Sequence, residues 1–442
     1  MTDRSWALSE VAAIVRGRLV GPDVRVTGVS TDSRISAPGS LFFALSGPSF
    51  DGHHFAASAL GSGAAAAVVQ PGRVDAEPRI EVPDPLEALR ALAIDVRSKM
   101  AQPVIAVTGS TGKTSTKDLL SAAVPGAHAS VRSFNNEIGV PLTVLGADPD
   151  ASVLVLEVGS RGPGHIEHLA PVVRPDVAVI TNLGLVHLET FGSIETLADS
   201  KFELVEALTA EGTAVLPVDE PLLDRPVAGS VMTFGATPEA DVAVGDVQLD
   251  DRLRPTFAVT TPVGSVTVRL PLVGAHHALN TGAAIAAGIS IGADIHEMAE
   301  RLAKAEASPW RMEVTEGPIT VVNDAYNANP TSMEAALRTV AASGRRPVAV
   351  LGRMAELGDV EAVEHRRIGS LAADLGFAAV IVVGEDHGIA EGAGAIARRV
   401  STAEEAITEL TRLTRDGDVV LVKASRSVGL ERLAMDLVEV LA

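Results

Sequence analysis

Residues 104–116, VIAVTGSTGKTST, gather the groups best suited to phosphate chemistry: a short apolar strand runs into a glycine-punctuated turn that ends in Lys-Thr-Ser. Backbone N–H groups of such a turn, and of a helix starting near Thr114, converge on one point where phosphate oxygens can accept them. Gly109 and Gly112 let the chain come close to a ligand. Lys113 would neutralise charge at the β and γ phosphates, and the Thr114 hydroxyl would ligate the Mg²⁺ that bridges them. Gly109, Ser110, Thr111, Gly112, Lys113, Thr114 and Ser115 are therefore the expected ATP cradle. Only Ser110 and Thr111 separate the two glycines, a shorter spacing than in the usual phosphate loop, and this narrows the choice of family. A strand, turn and helix with no ligand is the bland alternative, and Gly-Lys-Thr directly after a strand argues against it.

Such a loop needs a sheet to hold it. Apolar, β-branched runs at 104–107, 153–157, 177–181 and 214–217 alternate with helical stretches. Continuous apolar strands are buried on both faces, which implies a parallel sheet covered by helices, with its ligand crevice at the strand carboxyl ends. Glu157 ends one strand, His187 follows another, and Lys201 sits in the next helix. Each alone reads as a solvated side chain; their joint placement around one phosphate site points to function. Residues 240–272 alternate apolar and polar, as in an antiparallel excursion, and a helix follows at 276–289. Beyond Arg311, runs at 319–323, 348–351, 380–383 and 419–422, each followed by a helix, predict a second doubly wound sheet. Residues 1–97 hold short strands in VRVTGVSTDSR and SLFFAL and an alanine-rich helix over 56–66. The expected fold is α/β with three domains: a small amino-terminal α/β domain (1–97), a central P-loop ATPase domain with a mainly parallel sheet (98–311), and a Rossmann-like domain (312–442).

Bulk properties limit the partners. A formal charge of −20 opposes binding to nucleic acid or an anionic membrane, which need a basic footprint. If the substrates are polyanions, the sites must be islands of Lys, Arg and metal in an acidic protein. With no cysteine, neither disulfides nor thiolate chemistry enters. The first residues lack the cationic and then apolar pattern of a signal peptide, so a cytoplasmic protein is expected.

The segments TGSTGKTST, FNNEIGVPLTVL, EVGSRGPGHIEHL, TNLGLVHLETFGS, NDAYNANPTSMEAAL and KASRS, with STDSR and DGHHF nearer the amino terminus, resemble the signature segments of the Mur ligases, in the same order and over essentially the whole chain. The shortened phosphate loop is also what that family shows. Within it, the segments are most similar to the member that joins UDP-N-acetylmuramoyl-tripeptide to D-alanyl-D-alanine. The resemblance implies that ATP converts a peptide carboxylate to an acyl phosphate, that an amine attacks it, and that the adduct collapses to an amide with release of ADP and phosphate. It implies a catalytic set of Lys113, Glu157, His187 and Lys201, and two Mg²⁺ ions. Thr114 and Glu157 would hold one; His187 and Lys201, carbamylated by CO₂, would hold the other.

For ATP the resemblance adds Asn280 near the adenine, Arg311 reaching the phosphates from the domain junction, and Asp324 near the ribose. His277 stands where the family usually has asparagine. Ser30, Thr31, Asp32, Ser33 and Arg34 would cradle the uridine diphosphate, although such clusters also form capped turns. Asn135, Asn136, Asn327 and Asn329 would lie near the incoming amine. The Asn-Pro-Arg motif of the sister ligase that adds diaminopimelate is missing from the sequence. LGRMAELG and KASR depart from the family's LGDMLELG and KGSR at Arg353 and Ala424, which removes no implied metal ligand but could signal a divergent substrate. The resulting expectation is a cytoplasmic, monomeric enzyme of peptidoglycan precursor synthesis. A Mur-type ligase for another amino acid or secondary metabolite, a folylpolyglutamate-type enzyme and an ATP-binding regulatory pseudo-enzyme are the alternatives. The amino-terminal domain argues against the folate version, and Glu157, His187 and Lys201 together argue against a mere switch.

Overall fold

Strands built wholly from buried residues set the architecture: every position of Val104–Thr108, Val153–Glu157 and Val177–Ile180 is buried, which only a sheet covered on both faces can provide. The computed structural model describes residues 4–184, 188–385 and 387–441. Its central sheet has ten strands. From one edge they run Ala127–Ala129, Val153–Glu157, Val104–Thr108, Val177–Ile180, Thr213–Pro217, Ser230–Gly235 and Val242–Val244, all parallel. Pro255–Thr261 then pairs antiparallel with Val242–Val244, Gln248–Leu249 and Gly264–Arg269, forming the expected excursion. The phosphate-loop strand thus lies between the strand that ends in Glu157 and the strand that leads to Thr181 and Asn182.

The amino-terminal unit has a five-stranded sheet, and here one expectation needs correcting. Residues 56–66 do not form one helix: Ala56–Gly61 is helical, whereas Ala66–Val69 is a fully buried strand. Gly63, at φ 114°, turns the chain between them, and the following Val-Val favours a strand. The helix Pro85–Ser98 then leads to the central sheet, started by Asp84, whose carboxylate accepts from the N–H groups of Leu86 and Glu87, with proline at the first helical position. Arg97 ties its far end to the central unit by donating to the carbonyls of Val173 and Arg174.

In the carboxy-terminal sheet the order is Glu313–Thr315, Thr320–Asn323, Val419–Lys423, Pro347–Leu351, Ala379–Val383 and Ala397–Val400, with only the first strand antiparallel. The cores divide unevenly. One buried cluster runs from Leu8 through Leu89 and Leu92 to Val144, Leu169 and Leu223, welding the amino-terminal and central units together. Leu253 and Val273 are the central residues in the buried clusters of the carboxy-terminal unit, among the described residues. No helix among the described residues is long and apolar enough to cross a membrane.

Candidate active site

A cavity of about 840 Å³ lies between the central and carboxy-terminal sheets. At its base is the phosphate loop. Gly109, at φ 141°, and Gly112, at φ 77°, adopt backbone conformations that L-residues avoid. A Cβ at Gly109 would sit 3.0 Å from the Thr181 amide nitrogen, and one at Gly112 would collide with Asn280 Oδ1. The loop is held from the neighbouring strand end. Asn182 Oδ1 accepts the Thr111 N–H at 3.0 Å while its Nδ2 donates to Thr111 Oγ1 at 2.7 Å, and the Asn182 carbonyl accepts the Ser110 N–H at 3.0 Å. Lys113 opens the helix Lys113–Ala123, and its ammonium crosses the loop mouth to the carbonyls of Gly109, at 2.7 Å, and Ser110, at 3.2 Å. Burial, with Arg311 nearby, pulls Lys113 below the usual lysine range against the attraction of Glu157.

Above the loop, oxygen donors converge. Thr114 Oγ1 donates to Glu157 Oε2 at 2.8 Å and lies 3.1 Å from Ser133 Oγ. Glu157, 1% exposed, also accepts from Asn135 Nδ2 at 2.7 Å. Arg311 Nη2 donates to Thr114 Oγ1 at 2.9 Å, and its buried Nε–H has no partner among the described residues. A hydroxyl pair, a buried carboxylate and a spare guanidinium donor suit Mg²⁺ with the phosphates it bridges, since that ion takes hard oxygens and few protein carboxylates. No cluster of three or more His, Asp or Glu that could hold a metal ion is present among the described residues, so phosphate oxygens and water would complete the shell of an ion held here.

Lys201, in the helix Ile194–Glu206, faces the same cavity at 1% exposure. Its amine lies 5.9 Å from the Phe191 ring centre. Burial, reinforced by Lys113, pushes it well below the usual lysine range although Glu203 opposes the shift. His187 lies outside the described residues.

Around the rim, the His276 and His277 rings meet at a 37° tilt with centres 4.2 Å apart. Burial holds His276 down to about 4 and His277 further below its ordinary value, so both are neutral near neutral pH. Asn280 lines the cavity beside them. Asp324 does so too, but Lys423 Nζ occupies its Oδ2 at 2.6 Å and the Met312 N–H its Oδ1 at 3.1 Å. Asn136 Oδ1 caps Gly139–Leu145, accepting the N–H groups of Ile138 and Gly139. Asn329 caps the helix Pro330–Ala341 through the Ser332 N–H, and Asn327 Oδ1 accepts from Ala328. All three reach the cavity, but with these oxygens engaged locally.

Ser30, Thr31, Asp32, Ser33 and Arg34 do not line this cavity. Ser30 and Asp32 bond within the turn, and hydrogen bonds from Arg34 hold the Asp32 carboxyl at about 2. Arg353 also lies away from it, in a two-pronged pair with Glu361 at 2.6 and 2.9 Å, and the Ala424 methyl is fully buried beside Gly352. Six lysines and arginines against five acids line the cavity, whereas the whole chain has 36 against 56. With the Lys201 amine depressed, that lining is close to balanced in charge, in contrast to the acid excess of the whole chain. Ser133, Asn182 and Lys423 were not singled out from the sequence; only folding brings them to the cavity.

A phosphate loop at the end of a buried parallel strand, facing a Rossmann-like sheet across its cavity, defines a three-domain phosphate-loop enzyme. Family models described as Mur ligase family, catalytic domain; Mur ligase middle domain; and Mur ligase, glutamate ligase domain match residues 25–97, 107–288 and 310–426. A Mycobacterium leprae (strain TN) protein named UDP-N-acetylmuramoyl-tripeptide--D-alanyl-D-alanine ligase is 38% identical, with 97% of each chain covered. The chain is similar to a MurF crystal structure from Acinetobacter baumannii, with a TM-score of 0.91 at 30% identity over 99% of both chains. Its similarity to the Thermotoga maritima MurF complex with ADP has a TM-score of 0.83 at 27% identity, covering 94% of this chain and 98% of that one. The chain belongs to the Mur ligase family, and its full-length likeness is to the MurF branch.

Proposed function

We propose that this chain joins D-alanyl-D-alanine to UDP-N-acetylmuramoyl-tripeptide, using ATP, in cytoplasmic synthesis of a peptidoglycan precursor. The observation that carries the reading is the meeting of Lys113, Thr114, Glu157, Lys201 and Arg311 in one cavity of a chain similar throughout to ligases of that name. Residues 1–97 would bind the UDP moiety, with 30–34 as its cradle; 98–311 would bind ATP; 312–442 would present the dipeptide, with Asn327 and Asn329 beside it.

A carboxylate is a poor electrophile until one oxygen becomes a leaving group. Its attack on the terminal phosphoryl brings two anions together, and Lys113 and the free donor of Arg311 offset that repulsion. Magnesium held by Thr114, Ser133 and Glu157 would screen the phosphates and polarise the group being transferred. Lys201 deepens the same logic. Its neutral amine can add CO₂, giving an anionic oxygen donor that suits a second Mg²⁺ together with His187, which an ammonium could not do. Asn280 and His277 would flank the base, the imidazole offering one donor or acceptor in place of an amide. The amine of the dipeptide then attacks the acyl phosphate, and phosphate leaves as the amide forms.

Tripeptide labelled with ¹⁸O in its terminal carboxylate tests the reading. With D-alanyl-D-alanine and ATP, one label should pass into released phosphate for each amide made. Turnover without transfer of label would refute the acyl phosphate, and turnover only with single amino acids would refute the dipeptide assignment.

A further inference from the structure

A buried polar cluster outside this cavity lies one turn along the phosphate-loop helix from Lys113. Lys117 is 3% exposed and does not line the cavity. Its Nζ donates to the carbonyls of Ser130, at 2.9 Å, and Arg132, at 3.1 Å, and pairs with Asp118 Oδ1 at 2.6 Å. The other oxygen of Asp118 accepts from Ser308 Oγ at 2.6 Å. One helix turn therefore grips two distant segments, and both lead back to Thr114. On the first, Ser130 Oγ accepts the Glu157 N–H at 3.1 Å, Arg132 takes a left-handed φ of 49°, and Ser133 Oγ arrives 3.1 Å from Thr114 Oγ1. On the second, Ser308 precedes Arg311, whose Nη2 meets Thr114 Oγ1 at 2.9 Å.

Apolar residues could fill this space. A buried ammonium is costly to desolvate, and hydrocarbon of similar volume is often as stable. Lys117 does what hydrocarbon cannot: it draws two main-chain carbonyls inward and so fixes the loop that presents Ser133 and Asn135. We propose that Lys117 and Asp118 are a positioning pair, Lys117 setting the magnesium ligands and Asp118 setting the arginine that meets the phosphates. The inference rests on reading the cavity as a Mg²⁺–nucleotide site.

Titration calorimetry of the full chain with a non-hydrolysable ATP analogue, at graded free Mg²⁺ and without peptide substrate, separates the branches. Lys117→Met should raise the half-saturating Mg²⁺ about tenfold or more, the scale of outer-shell substitutions. Lys117→Arg, which keeps the donors, should restore most of it. Ser308→Ala should weaken the analogue about fivefold at saturating Mg²⁺, the worth of one hydrogen bond, with Mg²⁺ half-saturation unchanged. A purely structural role would lower the melting temperature of Lys117→Met and leave its Mg²⁺ dependence at the wild-type value, overturning the proposal. Should that variant fail to fold, wild-type analogue affinity in Ser308→Ala overturns it equally. A wild-type chain that bound no analogue would instead overturn the nucleotide reading of the cavity.

Discussion

Burial pushes the Lys201 amine well below the ordinary lysine range and so favours its neutral form, and that has two separable consequences. The chemical one concerns carbamate. Lys201→Ala should lower kcat about a hundredfold or more, the scale of losing one electrostatic contact to developing charge. Formate or acetate should restore part of it by filling the vacated ligand position, and full turnover without them would remove the carbamate role. The thermodynamic consequence has a definite sign. Unfolded, the amine titrates near about 10.4; folded, it titrates well below. Between the two the unfolded chain binds more protons, so stability rises with pH there and is lowest below both values. In CO₂-free buffer Lys201→Met should therefore melt higher than wild type near neutral pH, by a margin that shrinks towards about pH 10. A margin independent of pH would show that the amine is not buried neutral. The sequence exposed Lys113 and Thr114 because a phosphate loop is a local chain property. It could not expose Ser133 or Asn182, whose roles arise from segments distant along the chain, or show that Asp324, Asn136 and Asn329 spend oxygens on Lys423, a backbone turn and a helix cap.

Among the elements, the phosphate loop is as much a product of the neighbouring strand as of its own glycines. Thr181 and Asn182 leave the strand Val177–Ile180 at the level where Val104–Thr108 ends, so four hydrogen bonds between Asn182 and the loop fix Ser110 and Thr111. Asn182→Ala should raise the KM for ATP about tenfold, matching the 1–3 kcal/mol expected for unsatisfied buried groups. kcat at saturating ATP should change far less, because the reacting groups stay in place. An unaltered KM would mean that the glycines alone shape the loop. The buried parallel strands were legible because their residues are apolar at nearly every position, with Thr108 and Glu157 only at strand ends. Ser230–Gly235 and Ala397–Val400 were not: Ser230, Val231, Arg398 and Arg399 are exposed, so neither run carries the continuous apolar pattern.

At the scale of the whole molecule, the shared core makes the amino-terminal and central units one body, and the carboxy-terminal unit joins it through the residues around Arg311. Trp310, at φ 61°, and Met312, at φ 52°, flank that arginine in left-handed conformations that cost a non-glycine residue about 1–2 kcal/mol each. Stacking holds them: the Arg311 guanidinium lies 4.2 Å from the Tyr326 ring centre, and that of Arg426 lies 4.6 Å from the Trp310 ring centre. A junction under backbone strain but clamped by aromatic contacts is suited to switching between two arrangements as ligands engage Arg311. Small-angle scattering should therefore show a smaller radius of gyration with ATP analogue and UDP-linked substrate together, and Tyr326→Ala should lose that compaction while still binding nucleotide. The chain has only two tryptophans, so Trp6→Phe leaves Trp310 as the sole tryptophan, reporting on the junction when excited selectively. Its fluorescence should shift over the same substrate range as the scattering. If neither signal moves although both ligands bind, the carboxy-terminal unit does not swing, and Arg311 must serve the phosphates from a fixed position.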